Sequence, residues 1–508
     1  MKNNINNIKK NVIKGIIILF SISLLTPSCN ERFDEMNKNP NALTDLPDDF
    51  LFASLVRNTV RDNIGRWQQD FGAQYAHQAI SNTWQKSIDQ YLDSHQQGDV
   101  SEQMFSSSYR DCIKYANEVI VLNSKEGNTN ELKIAMAKTM AFVTFAKLTD
   151  YFGDVPYFEA GMGKYDILLP EYDEQELIYA DMVDQLQTIY TTIAAGNPED
   201  AFPGQDPLYN NDLEKWARFV NSFRLRLAMR ARFADPGTYN PVIADCLSKP
   251  LIEDNSQNAS LEHWDSERGE LYNPWHNLKI DYAANTYQYN VSSTLVDWLK
   301  ENNDPRIVAL VKPNKDGEYV GMPNGLVDAA IGNYTRSNIS VPGDLMLAPD
   351  QPLDIMAASE IWFLRAEAAL FGLGDGDANQ LYQKGIEQSM ARWGIDAADY
   401  IATSPLAALT GSDEEKFEQI GTQMWVAFIP NHQEAWSNMR RTGYPVIPQR
   451  TNPLLSKGVT DGYLPKRLKY PYTVEKTLNG GNMQEAIDRM GNDKIDTPVW
   501  WDVRDVIR

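Results

Sequence analysis

Apolar residues recur at three- and four-residue spacing along most of the chain, and this spacing predicts one amphipathic helix after another from about Leu46 onwards. The clearest predicted helices cover residues 101–122, 131–152, 213–232, 355–371, 378–392, 414–428 and 433–441. Within 131–152 the spacing is carried by Met136, Met140, Val143 and Leu148. The pattern therefore predicts a mainly α fold with a few short strands at most.

Residues 355–392 form a predicted helix, a glycine turn that begins at Gly372, and a second helix. One face of the second helix carries Ala378, Tyr382, Ile386 and Met390. This arrangement resembles a tetratricopeptide unit, and residues 111–152 contain a second such pair. Because one helix pair cannot bury its apolar stripe alone, several pairs must stack. We therefore expect residues 46–508 to form one domain on a tetratricopeptide-like helical-repeat scaffold.

The pattern changes between residues 250 and 351, where Asn, Asp, Gly, Pro and Tyr dominate and the one recognisable helix covers 292–301. We interpret this stretch as a long irregular insertion in the helical domain. Long loops on a rigid scaffold often carry binding surfaces, so this insertion is the first place to expect a ligand.

The N-terminus has the features of a secretion signal: four lysines within residues 1–14, then the apolar run 15–25, which is too short to span a bilayer. Thr-Pro-Ser-Cys follows at 26–29 and resembles a bacterial lipobox, although Thr26 stands where leucine is preferred. We therefore expect residues 1–28 to be a signal peptide, Cys29 to be lipidated, and 29–45 to be a tether. An ordinary secretory signal cut nearby is the alternative.

Charge and cysteine content exclude several further classes of protein. The chain has 47 basic and 69 acidic residues, a net charge of −22, and loss of the four N-terminal lysines would bring it to −26. Such a surface repels phosphate, so we expect no nucleic-acid partner. Three cysteines exclude a disulfide framework, and we expect Cys112 and Cys246 to be buried, reduced thiols. Five scattered histidines indicate no metal site, and no cofactor is expected.

Catalytic motifs are absent from the sequence: it contains no G-x-S-x-G, H-E-x-x-H or G-x-x-x-x-G-K pattern. Residues 375–379 imitate the start of a calcium loop, but Gln380 and Ile386 occupy positions that need glycine and glutamate. We therefore expect no enzyme. A glycosidase built on two carboxylates stays open as an alternative, because such a pair has no sequence motif.

Short motifs spread over nearly the whole chain resemble those of the SusD/RagB family of nutrient-binding outer-membrane lipoproteins, and its SusD-like branch in particular. They are NKNPN at 37–41, LTDYFGDVPY at 148–157, KWARFVNS at 215–222, SE at 359–360, RAEA at 365–368, EAW at 434–436, RRTGYP at 440–445 and TPVWWD at 497–502. The acidic residues after Cys29 resemble a surface-display signal of the Bacteroidetes.

This resemblance implies a lipoprotein that is anchored in the outer membrane and exposed at the cell surface, where it captures oligosaccharide and passes it to a SusC-like TonB-dependent transporter. A peptide cargo is the second possibility, because the family includes peptide importers. Because no compact Lys/Arg cluster occurs in 264–289, a neutral glycan is favoured over an anionic one.

The motif residues also have structural interpretations. Gly153 can supply the positive φ that ends a helix. We expect Glu360, Arg365 and Glu367 to be charges on a helix surface. The tryptophans in motif helices are assigned to packing: Trp216, Trp425 and Trp436.

Glycan-binding members of the family use an arc of exposed aromatic rings, and the resemblance implies a similar arc here. The candidate ligand-binding residues are Trp84, Tyr91, Trp264, Trp275, His276, Tyr282, Tyr287 and Tyr289. Packing in the core is the alternative for each ring, because apolar rings are more often buried than exposed.

Overall fold

A computed structural model describes residues 46–61, 71–81, 86–92, 95–163, 166–263, 272–276, 289–335, 337–451 and 460–504. Its helices are α1 Asp48–Val60, α2 Ala73–Tyr75, α3 Lys86–Asp89, α4 His95–Ser107, α5 Lys114–Asn123, α6 Glu131–Phe152, α7 Gln175–Ala194, α8 Leu213–Ala231, α9 Pro236–Leu247, α10 Ser293–Glu301, α11 Ile307–Leu310, α12 Asp328–Ile331, α13 Ala358–Leu370, α14 Ala378–Ala391, α15 Ala398–Thr403, α16 Asp413–Ala427, α17 His432–Thr442 and α18 Val474–Met490. The strands are β1 Ala79–Ser81, β2 Ala259–Leu261, β3 Tyr289–Val291, β4 Val311–Lys312, β5 Val341–Pro342 and β6 Leu353–Met356. The predicted mainly α fold is confirmed.

The ends of α6 show how local sequence sets the helix bounds. Asn130 caps the start, its side-chain oxygen accepting a hydrogen bond from Lys133 N at 3.0 Å. Gly153 ends the helix with φ +84°, and its N–H donates to Thr149 O at 2.8 Å. The helix predicted from spacing alone therefore has the observed limits.

Two other helices differ from their predicted form. The stretch 101–122 contains a π-helical segment, Ser108–Ile113, between α4 and α5. The prediction for 355–371 is wrong at its start, because Ile355 and Met356 belong to β6 and the helix begins at Ala358. β6 pairs with β2, and this pairing holds those two residues in extended geometry.

Helix pairs pack side by side as the repeat pattern predicts, and α13 with α14 is one such pair. A Cβ added to Gly385 in α14 would lie 2.6 Å from the ring of Phe363 in α13. Glycine therefore allows the two helices to approach, and Tyr382, Ile386 and Met390 are buried on the same side of α14.

The strands form three two-stranded antiparallel sheets, β1–β3, β2–β6 and β4–β5. β1–β3 joins the N-terminal part of the chain to the insertion, with Ala79 opposite Val291 and Ser81 opposite Tyr289. This small sheet thereby brings together two stretches that both carry predicted ligand residues.

A network of buried charges holds the central helices together. Arg226 in α8 forms two hydrogen bonds of 2.5 Å to Glu360, while Arg230 pairs with Asp150 and Glu434. Burial alone would raise the pKa of Glu434, but the two guanidiniums outweigh it and lower that pKa to about 2. Glu434 is therefore charged, whereas burial raises the pKa of Asp150 and of Glu360 even though each has an arginine partner.

The expectation that Glu360 and Glu367 lie on the surface is wrong. Glu360 is 4% and Glu367 0% exposed, and Glu367 accepts bonds of 2.6 and 2.7 Å from Arg441. Because each acid is fully paired, burial inside the bundle is possible for both. Arg365, by contrast, is partly exposed and bonds to Glu253.

The packing predictions for tryptophan and cysteine are confirmed. Trp216, Trp425 and Trp436 are fully buried in the core, and Cys112 and Cys246 are buried thiols. In the described part of the chain, no helix combines the length and the hydrophobicity that a membrane crossing requires.

Candidate ligand-binding site

Trp275 lies at the centre of an aromatic cluster beneath the β1–β3 sheet. Its ring meets Tyr289 edge to face at a centroid distance of 5.6 Å, and His432 of α17 at 5.1 Å. Asn273 fixes the turn that carries the indole, since its Oδ1 accepts from Trp275 N at 3.0 Å and its Nδ2 donates to Met346 O. A local turn formed by Asn273, Pro274 and Trp275 therefore positions the ring.

His432 connects this cluster to the segment before β1. Gln78 accepts a hydrogen bond from His432 Nδ1 at 2.5 Å and donates one to Trp425 O. Burial lowers the pKa of His432 to about 3, so the imidazole is neutral. Its Nδ1 therefore carries the proton, and Nε2 is left to accept from Tyr289 OH at 3.4 Å.

Tyr91 belongs to a second cluster, with His77 and Arg450. Tyr91 OH lies 2.7 Å from His77 Nε2, and the Arg450 guanidinium lies 3.5 Å from the centre of the Tyr91 ring. Burial lowers the pKa of His77 well below its usual value, and the charge of Arg450 adds a smaller effect in the same direction. Burial raises the pKa of Tyr91 to about 12. Both rings are therefore neutral, and Tyr91 OH donates to His77.

Arg450 is held in place by Asp89, at the end of α3. The guanidinium hydrogen-bonds Asp89 O and lies 3.6 Å from the Asp89 carboxylate. That carboxylate also accepts from Asn324 Nδ2 at 2.6 Å and from Gly325 N at 2.7 Å. Residues from three distant parts of the chain thus converge beside Tyr91.

The positions of the predicted ligand residues differ from the exposed arc expected from the sequence. Trp275 is 0%, Tyr91 1% and Tyr289 3% exposed, so all three rings lie in the core. Packing against His432 and Arg450 accounts for this burial. Their contact with a ligand stays a prediction, and burial favours a supporting role beneath the surface.

Among the predicted residues that the structure describes, His276 is the most exposed. It is partly exposed, its Nδ1 lies 2.9 Å from Leu347 O, and its ring meets Tyr272 edge to face. The backbone carbonyl requires a proton on Nδ1, so Nε2 can accept a hydrogen bond from a sugar hydroxyl. The remaining predicted residues lie outside the described residues: Trp84, Trp264, Tyr282 and Tyr287.

Sequence reasoning did not identify His77, His432 or Arg450. No motif marks them, because each owes its position to contacts with residues far away in sequence. Among the described residues, no three histidine, cysteine or acidic side chains are grouped as a metal site requires.

A large cleft opens elsewhere on the domain. It has a volume of about 540 Å³ and lies between α4, α5, residues 156–163 and 167–170, and the start of α18. Its rim carries strongly exposed aliphatic side chains, with Leu168 75%, Leu478 64% and Val474 56% exposed. Clustered apolar side chains of this kind are typical of protein–protein contact surfaces.

The helical-repeat scaffold and the three short antiparallel sheets define a mainly helical protein of the tetratricopeptide-like class. The chain belongs to the SusD-like family, described as starch-binding and associating with the outer membrane, whose model matches residues 40–471. No curated protein matched the chain.

Solved structures of SusD homologues share the fold. A chitin-binding protein is 26% identical, with a TM-score of 0.74, over 90% of this chain and 99% of the other. A chitin-binding SusD homologue from Flavobacterium johnsoniae is 23% identical, with a TM-score of 0.78, over 90% and 99%. A SusD homologue from Bacteroides uniformis is 24% identical, with a TM-score of 0.77, over 91% and 100%.

Proposed function

We propose that this protein is a cell-surface lipoprotein that binds a neutral oligosaccharide and delivers it to a SusC-like TonB-dependent transporter. Membership of a family described as starch-binding carries the proposal. The chitin-binding relatives support a glycan as the ligand, with a peptide as the second candidate. The ligand site we propose is the surface above the Trp275 and Tyr91 clusters.

The chemistry of this region suits binding without reaction. His77 and His432 are neutral and engaged with tyrosines and Gln78, so neither is placed as a general base for an attacking water. Relatives named as binding proteins agree with this interpretation. Incubating the mature protein with starch and chitin oligomers tests it: we expect binding and no shortened products. Release of shorter sugars at catalytic rates would instead support a glycoside hydrolase.

Delivery requires a partner, and the exposed rim of the 540 Å³ cleft is the surface that we propose for it. A lasting contact with an integral membrane protein needs an interface of about 2,000 Å² in total, with apolar residues at its centre. Leu168, Val474 and Leu478 provide such a centre.

Charge placed on this rim should weaken the contact with the transporter. We expect Leu478→Asp to reduce co-purification of a large barrel protein with the lipoprotein in mild detergent, since the carboxylate would be buried in an apolar interface. Val308→Asp is the matched control, because Val308 is also 64% exposed but lies on α11, outside the cleft lining. Equal recovery of the barrel with both variants would contradict this assignment.

A further inference from the structure

A second cavity, of about 360 Å³, lies between α10, α14 and α16 and shares no lining residue with the clusters described above. Trp298 of α10 forms one wall and is partly exposed. The edge-to-face contact of Trp298 with the buried Trp425, at 6.3 Å, fixes the orientation of its ring. A cavity of this volume with an aromatic wall is within the size range of small-ligand sites.

Much of the cavity wall is held rigid by bonds within the protein. Tyr382 OH donates to Leu406 O at 2.6 Å, and Gln423 accepts from Arg306 at 2.7 Å. Gln419 accepts from Thr410 N and donates to Thr410 Oγ1. The shape of the cavity is therefore set before any ligand arrives.

Three polar groups of the lining have no such bond. Within the described residues, Trp298 Nε1, the Glu418 carboxylate and the Thr422 hydroxyl form no hydrogen bond or ion pair. The nearby Glu415 uses Oε2 to accept from Ser412, which leaves Oε1 available. The cavity thus presents an indole donor and a hydroxyl from two partly exposed residues, and at its mouth the solvent-exposed carboxylates of Glu415 and Glu418, and its lining contains no Lys or Arg.

We infer that this cavity is a second ligand site that binds an amino sugar, a glucosamine-type unit with a protonated amine. The apolar face of a pyranose ring matches the Trp298 wall, its hydroxyls match Thr422 and the indole N–H, and the ammonium matches Glu418. A lysine side chain would satisfy the carboxylate but leave the hydroxyl and the indole donor without partners. The inference does not depend on the neutral-glycan site proposed above.

Titration with a glucosamine tetramer at about pH 6, where the amine is protonated, tests the assignment. We expect Trp298→Ala to lower the affinity at least about tenfold and Glu418→Gln about fivefold. The N-acetylated tetramer has no charge, so Glu418→Gln should not weaken its binding. Trp362→Ala and Glu387→Gln are the matched controls, because they change a tryptophan and a glutamate that are each partly exposed and lie outside the cavity.

Several results would overturn the inference. The first is that the glucosamine tetramer does not bind. The second is that Trp298→Ala and Glu418→Gln both leave its affinity unchanged. The third is that Glu418→Gln weakens binding of the glucosamine tetramer and of the N-acetylated tetramer equally. Tetralysine that binds as tightly and is lost in both variants would reassign the cavity to basic peptides. Trp298→Ala should leave starch-oligomer binding intact, so failure at one site is distinguishable from failure at the other.

Discussion

Two buried histidines, His77 and His432, hold tyrosines in place within the candidate site, and each is neutral for a physical reason. Burial lowers the pKa of both, and Arg450 adds to the effect at His77. A neutral imidazole offers one donor and one acceptor, which is what Gln78 and Tyr289 require around His432.

This burial makes stability depend on pH. The usual pKa of His432 is 6.5, and it falls to about 3 in the folded protein, so between these values the unfolded chain binds more protons. The free energy of unfolding should therefore decrease as the pH falls below about 6.5, by up to about 1.4 kcal/mol per pH unit for each such group. His77 and His263 act in the same direction.

Replacing His432 with Gln should remove one of these contributions. We expect the slope of unfolding free energy against pH to be about 1.4 kcal/mol per unit shallower than in the wild type between about pH 6 and 5. Urea unfolding at several pH values measures it. Above about pH 7.5 the two slopes should coincide, which serves as the internal control. Equal slopes across the acidic range would show that His432 is protonated in the folded state.

The sequence predicted the burial of a side chain correctly where the periodicity of its own helix determines it, as for Trp216 and Trp436. It predicted exposed rings at Trp275, Tyr91 and Tyr289, which are buried. Those rings lie in irregular segments, where no periodicity marks a buried face. Their burial depends on His432 and Arg450, which come from far along the chain.

At the scale of elements, the bounds of α6 and α14 followed from spacing and caps. Irregular helices were not predicted. Pro241 lies inside α9, and α18 contains Gly480 and Gly481 next to a non-helical Asn479. Tertiary packing, which local propensity does not report, stabilises these helices.

The α13–α14 contact gives a direct test at this scale. Gly385→Ala should destabilise the fold by about 1–3 kcal/mol, because the new methyl group would overlap the Phe363 ring. Gly481→Ala is the matched control: it also lies in a helix but has open space around its Cβ position. That change should stabilise by about 0.5–1 kcal/mol. Denaturant unfolding of both variants measures the difference, and equal effects would contradict the close packing.

At the scale of the whole molecule, the proposed lipid anchor determines whether the protein is attached to the membrane. Because residues 26–29 resemble a lipobox, we propose that attachment relies on a lipid at Cys29. Cys29→Ala should move the protein from the membrane fraction to the soluble fraction. Cys112→Ala is the control and should stay with the membrane, since that thiol is buried in the domain. Membrane retention of both variants would contradict lipid anchoring.

The central claim, that this protein binds a neutral oligosaccharide, is tested most directly by isothermal titration of the mature protein. Starch and chitin oligomers should be compared with a sulfated glycan and a peptide of similar length. We expect saturable heat with a neutral oligomer, with little change between low and physiological salt, because the ligand carries no charge. Binding confined to the sulfated glycan or to the peptide, with no heat from any neutral oligomer, would contradict the claim.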